Sequence, residues 1–315
     1  MSIQPENIAV IRKAGIIAVV GNAVLAIIKL VAGFISGSAA LIGDGIDSTG
    51  DVLIGAMTLI VAKIISKPAD PEHPWGHGRA EAIATAALSF IIFFLGAQLI
   101  VNSVTNLIDG QSPMAPSVLA LIVTVISIVG KIILARSQFI LGKRAGSSMI
   151  QANGKNMTGD IMISLGVLFG LIVSMLTGTG YADSIVAVAI GAWIVWTAIG
   201  IFLEANLELM DGSKDLEPYK EIFDAVASVE GASNPHRARM RRIGGLWDIS
   251  FDIDVDPNLT VYDAHLIAEE LEDEIRLRME DVADIMIHVE PPGDDQDEEF
   301  GVSEEHTSSD KGSTE

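Results

Sequence analysis

The side chains with the most evident chemistry are carboxylates that interrupt an apolar segment. Asp47 and Asp51 are four residues apart, so a helix would present both on one face. Asn156 and Asp160 repeat that spacing in a second apolar segment. Ionisable groups inside a bilayer are costly and mostly mark the path of an ion or a proton. We therefore predict that the two pairs meet near mid-bilayer and offer their oxygens to a divalent cation.

Two lysines inside apolar segments allow a different interpretation. Lys29 and Lys131 could form salt bridges with these aspartates that serve the fold alone. We favour a functional role for the two pairs because buried charges are expensive to keep. For Asp44, which stands outside the four-residue spacing, both interpretations remain open.

A second group of possible ligands lies between two apolar segments. Asp70, His73 and His77 have the residue types and the spacing of a metal site, and Glu72 is a possible further ligand. The alternative is a loop ordered by its prolines and tryptophan, because exposed histidine clusters are common without metals.

The distribution of charge divides the chain into two parts. It has 315 residues, 50% of them hydrophobic, and a net charge of −21. Residues 1–203 carry 10 acidic and 11 basic side chains, whereas residues 204–315 carry 31 and 9. The acidity argues against a nucleic-acid partner, which needs a basic footprint. No cysteine is available for disulfides, thiolate metal sites or nucleophilic catalysis, and no catalytic triad or phosphate loop suggests an enzyme.

The neutral part is predicted to be an all-α membrane domain of six helices, surrounded by lipid. Each apolar segment is long enough to cross about 30 Å of hydrocarbon. Lysine and arginine recur on alternate connections, which places both termini in the cytoplasm. We divide the chain into a transmembrane domain (1–205), a cytosolic domain (206–292) and an acidic disordered tail (293–315). The six spans are predicted near 14–36, 38–64, 82–108, 115–137, 157–177 and 182–203.

The cytosolic part is predicted to be an α+β domain with the element order αββαβ. Residues 247–256 alternate between apolar and polar side chains, which indicates a strand with one face to water. Thr260 followed by Asp263 predicts a capped helix start. Arg79, before span 3, is expected to pair with Asp211, just after span 6. The helices are predicted at 217–229 and 261–279, and the strands at 236–242, 247–256 and 283–290.

These features together resemble the cation diffusion facilitator family over residues 10–292. The resemblance rests on Asp47-Ser48-Thr49-Gly50-Asp51 and Asn156-Met157-Thr158-Gly159-Asp160, the six spans and the acidic cytosolic domain. It implies a homodimer in the cell membrane that exports divalent transition metals from the cytosol, usually in exchange for protons. It also implies a ferredoxin-like cytosolic domain and no prosthetic group.

The resemblance implies further metal ligands outside the membrane. It places a second metal site at Asp70, His73 and His77. It matches His236, Asp252, His288 and Glu290 to a cytosolic site and His265 to a bridging position. This sequence departs from the zinc pattern, with Asp at 252 and Glu at 290. The alternative is an acidic sheet face with isolated histidines.

The membrane ligands also bear on the identity of the metal. Asp47, Asp51, Asn156 and Asp160 offer only oxygens, which suit Mn²⁺ better than Zn²⁺, and manganese members of the family often combine Asn with three Asp. We therefore predict Mn²⁺ ahead of Zn²⁺ or Fe²⁺. Metal and protons would compete for the carboxylates. The alternatives are a membrane-anchored metal sensor, which would not need ligands at mid-bilayer, and a structural membrane protein with ion-paired spans.

Overall fold

The computed structural model describes residues 5–65, 67–108, 116–145, 148–213, 216–243, 246–279, 281–293 and 301–303. The chain forms two compact units. One consists of residues 1–63 and 84–203, and the other of residues 64–83 and 204–315. The connection after the second helix therefore belongs to the same unit as the C-terminal domain.

Six long helices make up the first unit, as predicted. Several extend beyond their apolar segments, because a hydrogen-bonded helix continues where its side chains become polar. The fifth helix, for example, begins at Ser148, nine residues before the apolar pattern predicted at 157. The helices are α1 (Pro5–Ser36), α2 (Ala39–Ile65), α3 (Ala80–Ile108), α4 (Val118–Ala145), α5 (Ser148–Thr177) and α6 (Tyr181–Leu209).

Judged on the residues that the structure describes, five of these helices, all but α2, are long and apolar enough to cross a membrane. At 27 residues α2 has the length but also carries three aspartates. Many large apolar side chains point outward, among them Phe34, Phe94 and Leu176. Such a surface suits lipid, because a bilayer solvates apolar groups as well as a protein core does.

Glycines allow α3 and α6 to approach each other closely. A Cβ at Gly96 would lie 2.8 Å from Ile194, and one at Gly191 would lie 2.7 Å from Ile100. Small residues at helix contacts are the common route to tight packing in membranes, where hydrophobicity alone does not drive association. Ile190 and Ile194 of α6 join the buried core here.

The second unit contains the predicted αββαβ domain. Strands β1 (Ser233–Ile243) and β2 (Leu246–Asp254) pair antiparallel, and β2 and β3 (Val282–Glu290) pair parallel, in the order β1-β2-β3. The core is built from Phe223 and Ile222 of the first helix, Leu271 and Ile275 of the second, and the apolar face of the sheet. The elements are α7 (Glu217–Ser228), β1 (Ser233–Ile243), β2 (Leu246–Asp254), α8 (Val261–Arg278) and β3 (Val282–Glu290).

Local signals in this domain behave as predicted, with one exception. The Thr260 hydroxyl accepts the backbone N–H of Asp263 and caps α8. On β2 the apolar residues from Trp247 to Ile253 are buried, but Asp252 and Asp254 on the opposite face are buried too, with 4% and 7% of their surface exposed. The prediction of an open polar face is therefore wrong at this end. Arg237 pairs with Asp252, and Asn234 donates to Asp254, so polar neighbours cover the carboxylates.

A short segment of the predicted tail lies against the sheet. Val302 and Ala238 of β1 exchange two backbone hydrogen bonds, of 2.9 and 3.2 Å. Gly301 has a φ of +98°, and a Cβ there would lie 2.6 Å from the Cα of Arg237. Only glycine fits this approach without strain. The rest of the acidic segment predicted to be disordered, 294–300 and 304–315, lies outside the described residues.

Candidate metal centres

The start of α2 is fixed by a carboxylate from another helix. Asp183 of α6 accepts hydrogen bonds from the Ser38 hydroxyl (2.6 Å) and from the backbone N–H groups of Ala39 (2.6 Å) and Ala40 (3.3 Å). Ser38 in turn accepts the N–H of Leu41. Unpaired N–H groups at a helix start favour a negative charge. Asp183 thereby sets the position of the helix that carries Asp47 and Asp51, a role that its sequence context did not suggest.

One turn before Asp47, a buried ion pair holds α2 to two neighbours. Lys29 of α1 donates to Asp44 (2.8 Å) and to Ser48 (3.0 Å), and Ser164 of α5 donates to the same Asp44 carboxylate (2.9 Å). Neither charged side chain is exposed. The geometry agrees with the structural interpretation of Asp44.

The predicted carboxylates of α2 and α5 meet at one lysine. The Lys131 ammonium of α4 lies 2.6 Å from Asp160 Oδ2 and 3.1 Å from Asp51 Oδ2. It also donates to the Asn22 amide oxygen of α1, at 3.0 Å. Four helices therefore converge on one buried cation. The sequence analysis did not predict a role for Asn22. The feature that could have indicated one is the position of a polar amide in the middle of an apolar span.

The other two predicted ligands lie beside this cluster. Asp47 is half-buried, and Asp51, Asp160 and Lys131 all lie within electrostatic reach of its carboxylate. Among the described side chains it has no ion-pair partner. Asn156 lies one helical turn before Asp160, but its side chain is exposed. The structure therefore brings Asp51 and Asp160 together, places Asp47 nearby and leaves Asn156 at the margin.

The predicted loop ligands are gathered in a tight turn of the second unit. The Asp70 carboxylate lies 3.1 Å from His73 Nδ1 and 3.5 Å from His77 Nε2. One ligand atom from each of the three residues lies within 4.8 Å of the others, as a shared metal ion requires. Glu72 donates its backbone N–H to Asp70. In the described part of the chain, the buried Nδ1 of His77 has no hydrogen-bond partner.

The turn keeps Asp70 ionised. The backbone N–H of His73 donates to the carboxylate and is the main reason that the pKa of Asp70 lies below its ordinary value. Nearby imidazoles lower the pKa of this group further. A charged carboxylate between two imidazoles is a suitable set of donors for a divalent transition metal.

Contacts within the second unit tie this turn to the sheet. The Arg241 guanidinium of β1 lies over the ring of Trp75, 4.8 Å from its centroid. Arg241 also pairs with Asp248 at 2.6 Å and with Asp211 at 3.8 Å. Arg79 forms the predicted ion pair with Asp211. A chain of charges therefore runs from the base of the loop to the first two strands.

Part of the predicted cytosolic set forms a cluster at the end of the sheet. His236 Nε2 lies 2.8 Å from Glu290 Oε1, and His288 Nε2 lies 3.4 Å from Glu290 Oε2. Asp254 joins His236 and Glu290, with one ligand atom of each within 4.8 Å of the others. The sequence did not single out Asp254, although it lies on the same strand face as Asp252.

Two predicted cytosolic ligands have other partners. Asp252 lies 3.0 Å from the Arg237 guanidinium. His265 is exposed on α8 and lies 3.4 Å from Glu269. The structure therefore brings together His236, Glu290 and Asp254, with His288 alongside, and it does not add Asp252 or His265 to the group.

Comparisons with known proteins find similarity over nearly the whole chain. Residues 15–210 match the cation efflux transmembrane domain, and residues 215–292 match the cytoplasmic domain of cation efflux proteins. Uncharacterized transporter YdbO of Bacillus subtilis is 32% identical over 292 residues, which cover 91% of this chain and 97% of YdbO. Manganese efflux system protein MneP of the same organism is 30% identical, with 92% and 99% covered.

Two further similarities concern a pump and a solved domain. The cation-efflux pump FieF of Salmonella schwarzengrund is 32% identical over 281 residues, which cover 89% of this chain and 93% of FieF. The metal-bound C-terminal domain of the CzcD transporter from Thermotoga maritima is 38% identical. It covers 26% of this chain and 94% of that domain, with a TM-score of 0.25.

Proposed function

Because this chain belongs to the cation diffusion facilitator family of metal-cation efflux transporters, we propose that it exports a divalent transition metal from the cytosol in exchange for protons, with Mn²⁺ favoured. The family transports cations across a membrane and is not a family of enzymes. The cargo and the exchange are inferred from the residues of this chain.

The convergence of Asp51 and Asp160 on one buried point carries this proposal. Together with Asp47 they supply three carboxylates against the single positive charge of Lys131. The cluster is therefore two positive charges short of neutrality when all four groups are ionised. A divalent cation closes that gap, which lowers the cost of charge in a low-dielectric environment.

The choice of Mn²⁺ rests on donor chemistry. Among the predicted membrane ligands every donor is an oxygen, and oxygens suit Mn²⁺, whereas Zn²⁺ favours imidazole and thiolate. A relative named for manganese efflux and a relative named as a cation-efflux pump are about equally similar to this chain, at 30% and 32% identity. Zn²⁺ and Fe²⁺ are the alternative candidates for the transported metal.

Protons are the proposed counter-ions. After metal release the site carries an excess of negative charge in a low-dielectric environment. Moving that excess charge across the bilayer is costly. Protons taken up from outside neutralise it and leave again when metal binds from the cytosol. Asn156 does not titrate, so the exchange would fall to Asp47, Asp51 and Asp160.

The remaining features are assigned by the same proposal. The protein acts as a homodimer in the cell membrane with both termini in the cytoplasm. Residues 206–292 form the cytosolic domain. Asp70, His73 and His77 form an additional metal site in the loop, and His236, Glu290 and Asp254 form one in the cytosolic domain.

The deciding experiment is metal flux in liposomes that contain the purified chain. Entry of Mn²⁺, Zn²⁺ and Fe²⁺ is compared with and without an imposed pH gradient. We expect Mn²⁺ to move fastest, an acidic release side to accelerate it, and Asp51→Ala or Asp160→Ala to abolish it. Glu204→Gln, an exposed change on α6, is the control and should keep full flux.

Each part of the proposal has its own refutation. Transport of Zn²⁺ without Mn²⁺ would overturn the assigned metal. Flux that ignores the pH gradient would overturn the proton exchange. If folded protein moves none of the three metals, the membrane-anchored sensor becomes the better hypothesis.

A further inference from the structure

Lys131 is the positive charge at the centre of the proposed transport site. It is completely buried in α4, and its ammonium has three hydrogen-bond acceptors. An ammonium carries three N–H donors, so each donor has a partner. Two of the acceptors, Asp51 and Asp160, are the carboxylates assigned to the metal.

The ammonium therefore occupies the place between the carboxylates that a metal would need. A metal ion needs Asp51 and Asp160 oxygens at about 2.0–2.3 Å, closer than either hydrogen bond to Lys131. Two cations cannot share that space without strong repulsion. Metal binding thus requires the ammonium to withdraw from at least one carboxylate.

Asn22 gives the ammonium a place to withdraw to. Its amide oxygen is a neutral acceptor on α1, 3.0 Å from Lys131 Nζ, and only 5% of Asn22 is exposed. Because the amide is neutral, it attracts a metal ion less strongly than a further carboxylate would. The lysine can keep one hydrogen bond while it gives up a charged one.

We propose that Lys131 sets the affinity of the site for the metal: its ammonium lies between Asp51 and Asp160 when no metal is bound and competes with the metal during transport. This inference rests on the proposed transport function. The competition lowers the affinity for the metal and speeds its release, because the departing ion is replaced by a cation that the protein supplies.

The test compares KM with the maximal rate of Mn²⁺ flux in liposomes that contain the full-length chain. Lys131→Gln keeps a polar side chain of similar length but removes the charge. We expect a KM about ten- to a hundredfold lower, the change that loss of one competing charged hydrogen bond gives, together with a lower maximal rate. Lys131→Arg keeps the charge and should leave KM within a few-fold of the wild-type value.

Two further variants separate this role from a purely structural one. Asn22→Leu removes the neutral acceptor, ties the ammonium to the carboxylates and should raise KM. Glu204→Gln removes an exposed carboxylate of α6 and should leave KM unchanged. Opposite shifts for Asn22→Leu and Lys131→Gln are not expected from a general loosening of the helices.

The results distinguish this inference from the proposed function. If the wild type moves Mn²⁺ and folded Lys131→Gln has an unchanged or higher KM, Lys131 is structural and the inference is wrong. If Lys131→Gln does not fold, Asn22→Leu decides, and an unchanged or lower KM overturns the inference. A wild-type chain that moves no divalent metal overturns both.

Discussion

The junction between Asp183 and the start of α2 yields a quantitative prediction. The carboxylate accepts three hydrogen bonds, two of them from backbone N–H groups that the helix itself leaves unpaired. A hydrogen bond to a charged group contributes about 1.5–3 kcal/mol, and neighbouring bonds are not additive. We therefore expect Asp183→Ala to lower the free energy of unfolding by about 3–5 kcal/mol.

Asp183→Asn should be much milder. One amide oxygen can still accept both backbone N–H groups, and the amide nitrogen can donate to the Ser38 hydroxyl. What is lost is the charge beside the helix start, which contributes about 1 kcal/mol. At about 2–4 °C per kcal/mol, the expected fall in Tm is near 10 °C or more for the alanine variant and about 3 °C for the asparagine variant.

The assay is thermal unfolding of the detergent-solubilised protein, followed by tryptophan fluorescence. Glu204→Gln, an exposed carboxylate on the same helix, is the control and should leave Tm unchanged. The losses from Ser38→Ala and Asp183→Ala should overlap by about 1 kcal/mol in the double variant, because the two side chains share a hydrogen bond. Equal effects of Asp183→Asn and Asp183→Ala would refute the reasoning, since the negative charge rather than the pairing of the N–H groups would then supply most of the stabilisation.

Three other predictions concern the second unit. Arg79→Asp and Asp211→Arg should each lower Tm, and the double variant should recover part of the loss; no recovery would argue against the pair. Gly301→Ala should release the tail segment and speed hydrogen exchange at its partner amide on β1, at a cost of about 1–2 kcal/mol. Gly293→Ala, at positive φ but in open space, is its control and should leave that exchange unchanged. The pKa of Asp70 should lie below 3.8, so its contribution to the loop turn is complete above that pH and is lost as the pH falls through the lowered pKa; a carboxyl ¹³C titration midpoint at or above 3.8 would contradict this.

Much of the architecture could be predicted because local and global signals agree. Apolar length indicated the six long helices of the first unit, and the alternating pattern of residues 247–256 indicated the central strand of the sheet in the second unit. The spacing of Asp51 and Asp160 within their motifs pointed to the two carboxylates that the structure brings together. These signals depend on periodicity within one element, which a sequence displays directly.

The choice between Asp252 and Asp254 could not be predicted in the same way. Both lie on one face of β2, so alternation treats them alike. Strand β1 departs from regular pairing on either side of His236, and Arg237 has a φ of +50°. Such a bulge re-aims the side chains of its strand. It turns Arg237 onto Asp252 and leaves Asp254 with His236, a result of tertiary pairing that the alternating pattern does not contain.

The two buried lysines of the first unit differ in the number of carboxylates that surround them. Lys29 faces one carboxylate, Asp44, and two hydroxyls, so its charge is matched one to one. Lys131 bonds Asp51 and Asp160 and lies near Asp47, so one positive charge faces three negative ones. A further cation would not stabilise the Lys29–Asp44 pair, whose charges already cancel. It would stabilise the cluster around Lys131, where negative charge is in excess. This shortage of positive charge, rather than the presence of aspartates in α2, is our reason for proposing the cluster around Lys131 as the divalent-cation site.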